Sequence, residues 1–356
     1  MFTNELTNLL KIDYPIIQAP MAGGITTSEF VASVSNNGAL GMIGAGYMSP
    51  IQLREQIREV KHLTSKNFGV NLFVPNQFEV MENEVEIANS FLSRYLEELN
   101  IQGEKITLPN FENAFQSYRE QIQVVIEEKV PICSFTFGVP TADVVAQFKL
   151  QGIISVGTAT TVAEAICIEK IGMDAVVVQG SEAGGHRGNF IRAHEESLIG
   201  LMSLIPQVVD FVSIPVIAAG GVMDGRGLTA ALFLGAKAIQ MGTAFLTCEE
   251  SGAHPVYKEA IMESAGEETT LTRTFSGKWA RGIKNRFTKE MEEHEGIVPT
   301  FPIQNALTQS IRKASAKQNN KDFMSLWSGQ SAILARVETV EELVQRVMNE
   351  ARKILR

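Results

Sequence analysis

Short, continuous apolar segments recur along the chain, and segments of helical periodicity separate most of them. Eight of the apolar segments are rich in β-branched and small residues, and they cover residues 15–20, 39–45, 68–74, 130–137, 152–157, 174–180, 215–221 and 238–243. Continuous apolar strands are typical of parallel sheets that are covered on both faces. The pattern therefore predicts eight buried, parallel strands.

Helical patterns follow five of these strands, at residues 27–36, 50–63, 141–150, 161–171 and 224–234. Strands that alternate with helices in this way predict an α/β protein of the (β/α)8 TIM-barrel class. An open, doubly wound sheet is the competing architecture. Such a sheet usually carries its glycine fingerprint after the first strand, whereas the double glycine here follows the seventh.

Three stretches depart from the repeat of a barrel that is predicted to occupy residues 1–247. Residues 76–128 are too long for one crossover and predict a helical insertion after strand three. Residues 248–324 are mixed in character and predict a smaller lid or substrate region beside the barrel mouth. Residues 325–356 contain a charged amphipathic helix that is expected to pack back on the barrel.

Composition and charge narrow the classes of function. The net charge is −9 and no block of Lys or Arg is present, so the pattern expected for nucleic-acid binding is missing. The three cysteines are far apart, which argues against disulfides and favours a reducing, cytoplasmic location. No apolar run approaches the roughly 20 residues that span a membrane.

Glycines at the ends of the last two strands predict an anion site. In barrels of this class active sites lie at the carboxyl ends of the strands, and phosphate often binds after strands seven and eight. Gly220 and Gly221 follow strand seven, and the helix from about Asp224 is expected to direct its positive end at the same place. Gly242 and Thr243 follow strand eight. Tight turns without a ligand are the alternative interpretation.

The loop after strand six carries the candidate catalytic residue. Gly184 and Gly185 would let this loop lie against a flat ligand, with His186 above it. Histidine suits proton abstraction near neutral pH, and Arg187 and partial burial are expected to keep the imidazole neutral. A surface histidine is the alternative. A metal site is not expected, because no second ligand lies at a suitable spacing.

Four amide side chains lie in predicted strands or at their ends: Gln18, Asn71, Gln179 and Gln240. An amide both donates and accepts hydrogen bonds, so the set predicts recognition of a neutral ring that carries donors and acceptors. The alternative is that loop backbone satisfies each amide. A planar ring held by amides, with a phosphate after strands seven and eight, fits flavin mononucleotide (FMN).

Five segments resemble the motifs of nitronate monooxygenases: residues 18–24, 69–71, 179–188, 219–221 and 240–245, of which EAGGHRG at 182–188 is the most specific. The resemblance implies non-covalent FMN and oxidation of a small nitronate by O2 to a carbonyl compound and nitrite. From the charge and the apolar runs we expect no nucleic-acid or membrane partner, and the sequence carries no signal for an oligomeric state. His186 matches the family's catalytic histidine. Positions that match FMN-binding or flavin-lining residues are Ala19, Pro20, Met21, Asn71, Gln179, Gly184, Gly220, Gly221, Gln240, Met241, Gly242 and Thr243.

Other functions remain open on the same scaffold. An FMN-dependent enoyl-acyl-carrier-protein reductase shares the barrel and the loop histidine, but it needs a pyridine nucleotide and a basic patch, and neither is evident. An NAD(P)H:quinone reductase is a further alternative. A purine-nucleotide dehydrogenase would need a cysteine in the loop after strand six, where this chain has none. A non-catalytic phosphate-binding sensor is the alternative from another class.

Overall fold

Eight parallel strands close into a barrel in the computed structural model, which describes residues 2–101, 106–265 and 267–356. The strands of the chain are β1 (Ile16–Gln18), β2 (Gly41–Gly44), β3 (Phe68–Phe73), β4 (Ile132–Thr136), β5 (Ile154–Ala159), β6 (Ala175–Gln179), β7 (Gly185–His186), β8 (Val216–Ala219), β9 (Ala238–Met241), β10 (Thr269–Thr272) and β11 (Ala280–Ile283). The barrel order is β1-β9-β8-β6-β5-β4-β3-β2. A parallel bridge between Ile17 and Leu40 joins β1 to the chain entering β2 and closes the ring. The predicted (β/α)8 barrel is confirmed.

Helices cover the outside of the barrel and build the region beside its mouth. They are α1 (Glu5–Leu10), α2 (Ser28–Asn36), α3 (Pro50–Leu63), α4 (Glu82–Glu98), α5 (Phe111–Glu127), α6 (Ala142–Leu150), α7 (Val162–Lys170), α8 (Leu201–Val209), α9 (Gly225–Phe233), α10 (Thr243–Leu246), α11 (Pro255–Glu263), α12 (Arg286–Met291), α13 (Ile303–Leu307), α14 (Gln309–Lys317) and α15 (Val340–Ile354). Ser49 and Pro50 fix the start of α3, because Ser49 accepts a hydrogen bond from the Gln52 amide and Pro50 occupies the first turn.

The predicted insertion at 76–128 contains two helices with different partners. Helix α5 packs against α3 and β3, and its Ile122 belongs to the core around the barrel. Helix α4 instead places Leu92 and Tyr95 in a second apolar cluster with Phe287 and Phe323 of the region beyond residue 248. Both helices are amphipathic, so the sequence pattern did not distinguish the one that covers the barrel from the one that extends the lid.

The second sheet joins the histidine loop to the lid region. Its order is β10-β11-β7, with antiparallel pairing throughout. In this pairing His186 lies opposite Ala280, and Gly185 lies opposite Arg281. The segment that the sequence predicted as a loop is therefore held by backbone hydrogen bonds to the region beyond the barrel.

Helix α15 returns to the barrel and packs against α9 and α2. Val344, Val347 and Met348 are buried on this face. The helices approach closely at Gly225, where an added Cβ would lie 2.4 Å from the backbone nitrogen of Ala351. Among the helices in the described ranges, none is both long and apolar enough to cross a membrane.

Candidate active site

A cavity of about 700 Å³ lies at the carboxyl ends of the barrel strands, within the range of roughly 300–1,000 Å³ for small-molecule and cofactor sites. The lid region and residues 324–331 complete its wall. The predicted site residues that line it are Ala19, Pro20, Met21, Asn71, Gln179, Gly184, Gly185, His186, Gly220, Gly221, Gln240, Gly242 and Thr243. Residues that are far apart in the sequence therefore meet in one place.

Two residues singled out in the sequence do not reach the cavity. Met241 is 1% exposed in the core around the barrel, because side chains alternate along β9 and Gln240 takes the inward position. Gln18 is fully buried and accepts a hydrogen bond from the Met42 amide at 2.9 Å. Neither side chain lines the cavity: Met241 packs in the core, and the Gln18 amide bonds to backbone groups. The prediction that Met241 binds the cofactor stays a prediction.

His186 stands in the cavity wall among aromatic rings. The centroid of its ring lies 5.3 Å from that of Trp327, 5.9 Å from that of Phe137 and 6.1 Å from that of Phe301. Burial, together with the cations of Lys278 and Arg312, lowers the pKa of His186 to about 3. The imidazole is therefore neutral throughout the physiological pH range.

A hydrogen-bond chain orients the imidazole. The Ser276 hydroxyl donates to the Lys278 carbonyl at 3.0 Å, and it lies 2.8 Å from His186 Nε2. A hydroxyl has one proton to donate, so it accepts from Nε2–H of the histidine. The lone pair of the neutral ring is thereby assigned to Nδ1, the nitrogen available for proton abstraction.

Arg187 holds the loop and does not act on the histidine as the sequence suggested. Its side chain is fully buried and donates to the carbonyls of Gly180 at 2.6 Å, Ser197 at 2.8 Å and Gln179 at 3.2 Å. These backbone acceptors occupy both Nη atoms of the guanidinium, whereas Nε has no partner in the described residues. The cations that depress the pKa of His186 are Lys278 and Arg312 instead.

The Gln179 amide is used by the same loop. Its nitrogen donates to the His186 carbonyl at 2.9 Å, and its oxygen accepts from the Gly188 amide at 2.8 Å. Glu164, which is fully buried, accepts from the backbone amides of Phe190 and Ile191 at 2.6 and 2.9 Å. Gln179 lines the cavity, but its role here is to orient the histidine loop.

Asn71 and Gln240 have amide groups that a ligand can engage. Asn71 donates to Ser134 Oγ at 2.9 Å and to Thr136 Oγ1 at 3.0 Å, which directs its nitrogen into the sheet. No hydrogen bond from the described residues reaches the Asn71 carbonyl oxygen or the side chain of Gln240. Both side chains line the cavity.

The turn after β8 leaves its backbone open to the cavity. Gly220 and Gly221 have φ angles of 128° and 67°, which L-residues with a side chain rarely adopt. Across the part of the chain that the structure describes, no hydrogen bond reaches the backbone of either glycine. Thr243, at the start of α10, faces the same cavity and accepts from the Gly329 amide at 3.0 Å.

Helix α9 does not direct a free positive end at this turn, contrary to the expectation from the sequence. Asp224 caps its start by accepting from the amides of Arg226 at 2.9 Å and Gly227 at 3.3 Å. Glu350 of α15 accepts from the Gly225 amide at 3.0 Å. Carboxylates therefore accept the hydrogen bonds of these backbone amides. An anion in the cavity could bind instead to the unbonded backbone of Gly220 and Gly221.

Sequence reasoning missed the contribution of the second half of the chain. Ser276, Arg312, Trp327 and Gly329 all line the cavity. Ser276 lies in a stretch, residues 272–282, where aromatic residues alternate with glycine and serine, which was the available signal for a site there. Arg312 had no such signal, because it lies in a polar helix.

The chain is similar over its full length to proteins of one family. A family model described as nitronate monooxygenase matches residues 3–350. A probable nitronate monooxygenase of Staphylococcus haemolyticus is 50% identical, with 99% of this chain and 98% of the relative covered. Among solved structures, nitroalkane oxidase from Streptomyces ansochromogenes has a TM-score of 0.90 and 38% identity, covering 99% of this chain and 100% of that one. FabK from Thermotoga maritima has a TM-score of 0.78 and 30% identity, covering 100% and 98%.

Proposed function

The chain belongs to the nitronate monooxygenase family, an oxidoreductase family, and from this premise we propose that it uses FMN and O2 to oxidise alkyl nitronates to carbonyl compounds and nitrite. One observation carries the proposal. A neutral, oriented His186 faces the cavity in which the strand-end glycines and amides meet. Neutral nitroalkanes are further substrates in this proposal, after His186 removes their α-proton.

The residues present fit FMN. The open backbone at Gly220 and Gly221, with Gly242 and Thr243 beside it, suits a phosphate, as in barrels that bind phosphate after strands seven and eight. The ring would lie against residues 19–21, which line the cavity. The unpartnered oxygen of Asn71 can accept from the polar edge of the ring.

When bound, a flavin supplies the oxidation–reduction chemistry, and the protein supplies binding, orientation and electrostatics. Gln240 offers a second amide to the ring's hydrogen-bonding edge. Phe137, Phe301 and Trp327 flank the histidine, whose side chain stays partly accessible in the cavity wall. The accessible side of the ring is therefore the one that a substrate in the cavity can reach.

In this proposal His186 Nδ1 removes the α-proton of a nitroalkane. Neutrality keeps the lone pair available, and the bond from Nε2 to Ser276 fixes the ring while the proton arrives. The low pKa of the free imidazole opposes protonation, but the product of this step is a nitronate anion. The negative charge of this anion stabilises the imidazolium beside it. Protonation of His186 is therefore more favourable when the nitronate forms than it is in the free protein.

Replacing His186 tests the base. In the variant His186→Asn, turnover of nitroethane should fall by on the order of 10²- to 10⁴-fold, the usual contribution of a general base. Turnover of ethylnitronate should fall far less, because that substrate has already lost its proton. Steady-state rates are compared at equal flavin content.

His194→Asn is the matched control, since His194 stacks on Trp279 with ring centroids 4.6 Å apart and does not line the cavity. Its nitroethane turnover should stay close to that of the unmodified protein. An unchanged nitroethane rate in flavin-replete His186→Asn would remove the base from this mechanism.

Anaerobic reduction separates the proposal from the reductases on the same scaffold. The purified protein is mixed without O2 with NADH, ethylnitronate or propionate 3-nitronate, and flavin absorbance is followed. Bleaching by the nitronates but not by NADH is the expected result. Rapid bleaching by NADH alone would favour an enoyl or quinone reductase, and a colourless preparation would favour a sensor.

A further inference from the structure

Arg312 is a cation in the cavity wall that the mechanism above uses only through its effect on the pKa of His186. It lies on α14, and it lines the cavity together with Asn305, Gln309 and Lys313. The spacing of these positions puts them on one face of the helical segment from α13 to α14. The lid therefore presents a polar and positively charged face to the same space as the histidine.

Three hydrogen bonds to neutral groups fix the guanidinium. Nε donates to Thr308 Oγ1 at 3.2 Å, and Nη2 donates to the carbonyl oxygen of Asn305 at 2.7 Å and to its Oδ1 at 2.9 Å. The bonds use Nε and both protons of Nη2. They hold the side chain in one orientation before any ligand arrives.

Nη1 has no partner in the described residues and is not among their buried unpaired atoms, so its two protons remain available to a ligand. No carboxylate of the described ranges forms an ion pair with Arg312. Burial lowers the pKa of Arg312, yet a guanidinium stays charged at physiological pH.

A fixed and unpaired cation costs solvation free energy, which a ligand anion would offset. A nitronate spreads its negative charge over two oxygens in a plane, and guanidinium N–H groups match such planar oxoanions. We propose that Arg312 binds the nitronate oxygens through Nη1 and makes the site selective for anionic nitronates over neutral nitroalkanes. This inference rests on the proposed function, because it concerns the substrate of that site.

The selectivity test compares the two forms of one substrate. In flavin-replete Arg312→Gln, kcat/KM for ethylnitronate should fall on the order of 10- to 100-fold, the effect of one charged hydrogen bond, and mainly through KM. For neutral nitroethane KM should change much less, because Arg312 meets no anion until the proton has been removed, so the ratio of the ethylnitronate KM to the nitroethane KM rises. Arg312→Lys, which keeps the charge, should restore part of the ratio.

Lys317→Gln is the matched control, since Lys317 is an exposed cation on the same helix and does not line the cavity. It should leave both substrates unaffected. Equal increases in KM for ethylnitronate and nitroethane in Arg312→Gln, or an unchanged KM for ethylnitronate, would overturn the assignment.

A binding measurement separates this inference from the proposed reaction. Nitrate is a planar oxoanion that has no carbon to oxidise, and its binding is measured by isothermal titration calorimetry. Nitrate should bind the unmodified protein at least tenfold more tightly than Arg312→Gln. Equal binding, or none, overturns the role of Arg312 even if nitronates are oxidised. Weaker binding in the variant supports that role even if nitronate oxidation fails.

Discussion

The chemistry of His186 depends on neighbours that come from three other parts of the chain. Ser276 orients its ring, Phe137 and Trp327 enclose it, and Arg312 adds positive charge. Each effect disfavours the imidazolium or fixes the neutral tautomer. The sequence predicted a neutral histidine with Arg187 as the neighbouring cation, but the Arg187 side chain is turned to backbone carbonyls.

The low pKa of His186 predicts a pH dependence of stability. The folded-state pKa of about 3 lies below the ordinary value of 6.5, so as pH falls the unfolded chain takes up a proton that the folded state does not. The stability is fully present above about pH 6.5 and is lost progressively towards pH 3. Between pH 7 and pH 5 the unmodified protein should lose up to about 2 kcal/mol more unfolding free energy than His186→Asn.

Urea unfolding of the two proteins at both pH values measures this difference. Contributions from the other titrating groups, including His194, occur in both proteins and cancel. A loss of the same size in both would contradict the assignment of a depressed pKa to His186.

At the scale of elements, the strand and helix pattern could be predicted from the sequence because each barrel unit buries its own apolar face. Helix α8 was not predicted, because most of its residues are apolar and Pro206, a residue that usually interrupts a helix, lies inside it. The short strand β7 was also missed, since two residues give no periodicity and its partner β11 lies far along the chain. Pairing between distant segments is invisible to local patterns.

Close approach between the histidine loop and residues 328–329 predicts a strict requirement for glycine at position 184. A Cβ on Gly184 would lie 2.5 Å from the backbone nitrogen of Gly329 and 2.6 Å from the carbonyl carbon of Ser328. Gly184→Ala should separate the two segments and lower the unfolding free energy by about 1–3 kcal/mol. Flavin content should fall with it, measured by absorbance after gel filtration.

Gly296→Ala provides the comparison, because a Cβ at Gly296 meets nothing within 4 Å. This variant should keep both the stability and the flavin content of the unmodified protein. Normal flavin content and stability in Gly184→Ala would contradict the close packing.

At the scale of the whole molecule, the cavity is completed by segments from both ends of the chain. Residues 19–21 line one side, and residues 324–331 line another. Helix α15 then closes the chain against α9, whose preceding turn contains the open glycines. Docking of the C-terminal helix therefore affects the same part of the barrel as the proposed phosphate site.

This arrangement predicts the effect of Gly225→Ala. A Cβ there would lie 2.4 Å from the Ala351 nitrogen and 2.7 Å from the Val347 carbonyl oxygen, so α15 has to move. The unfolding free energy should fall by about 1–3 kcal/mol, although alanine alone favours a helix over glycine. Thermal unfolding measures the change. An unchanged or higher midpoint would show that α15 accommodates the methyl group.

The sequence by itself determined the barrel and the strand ends that meet at the cavity, and it predicted His186 as a residue of that cavity. Those properties follow from local periodicity and from the rule that parallel strands bring their carboxyl ends together. Only the tertiary structure decided which side-chain amides can bind a ligand. Gln18 and Gln179 form hydrogen bonds with backbone groups, whereas the Gln240 side chain has no such partner in the described residues. It also decided that Arg312 and Ser276 face the histidine. The physical reason is that hydrogen-bond partners and burial depend on contacts between segments distant in the chain, which a linear pattern does not encode.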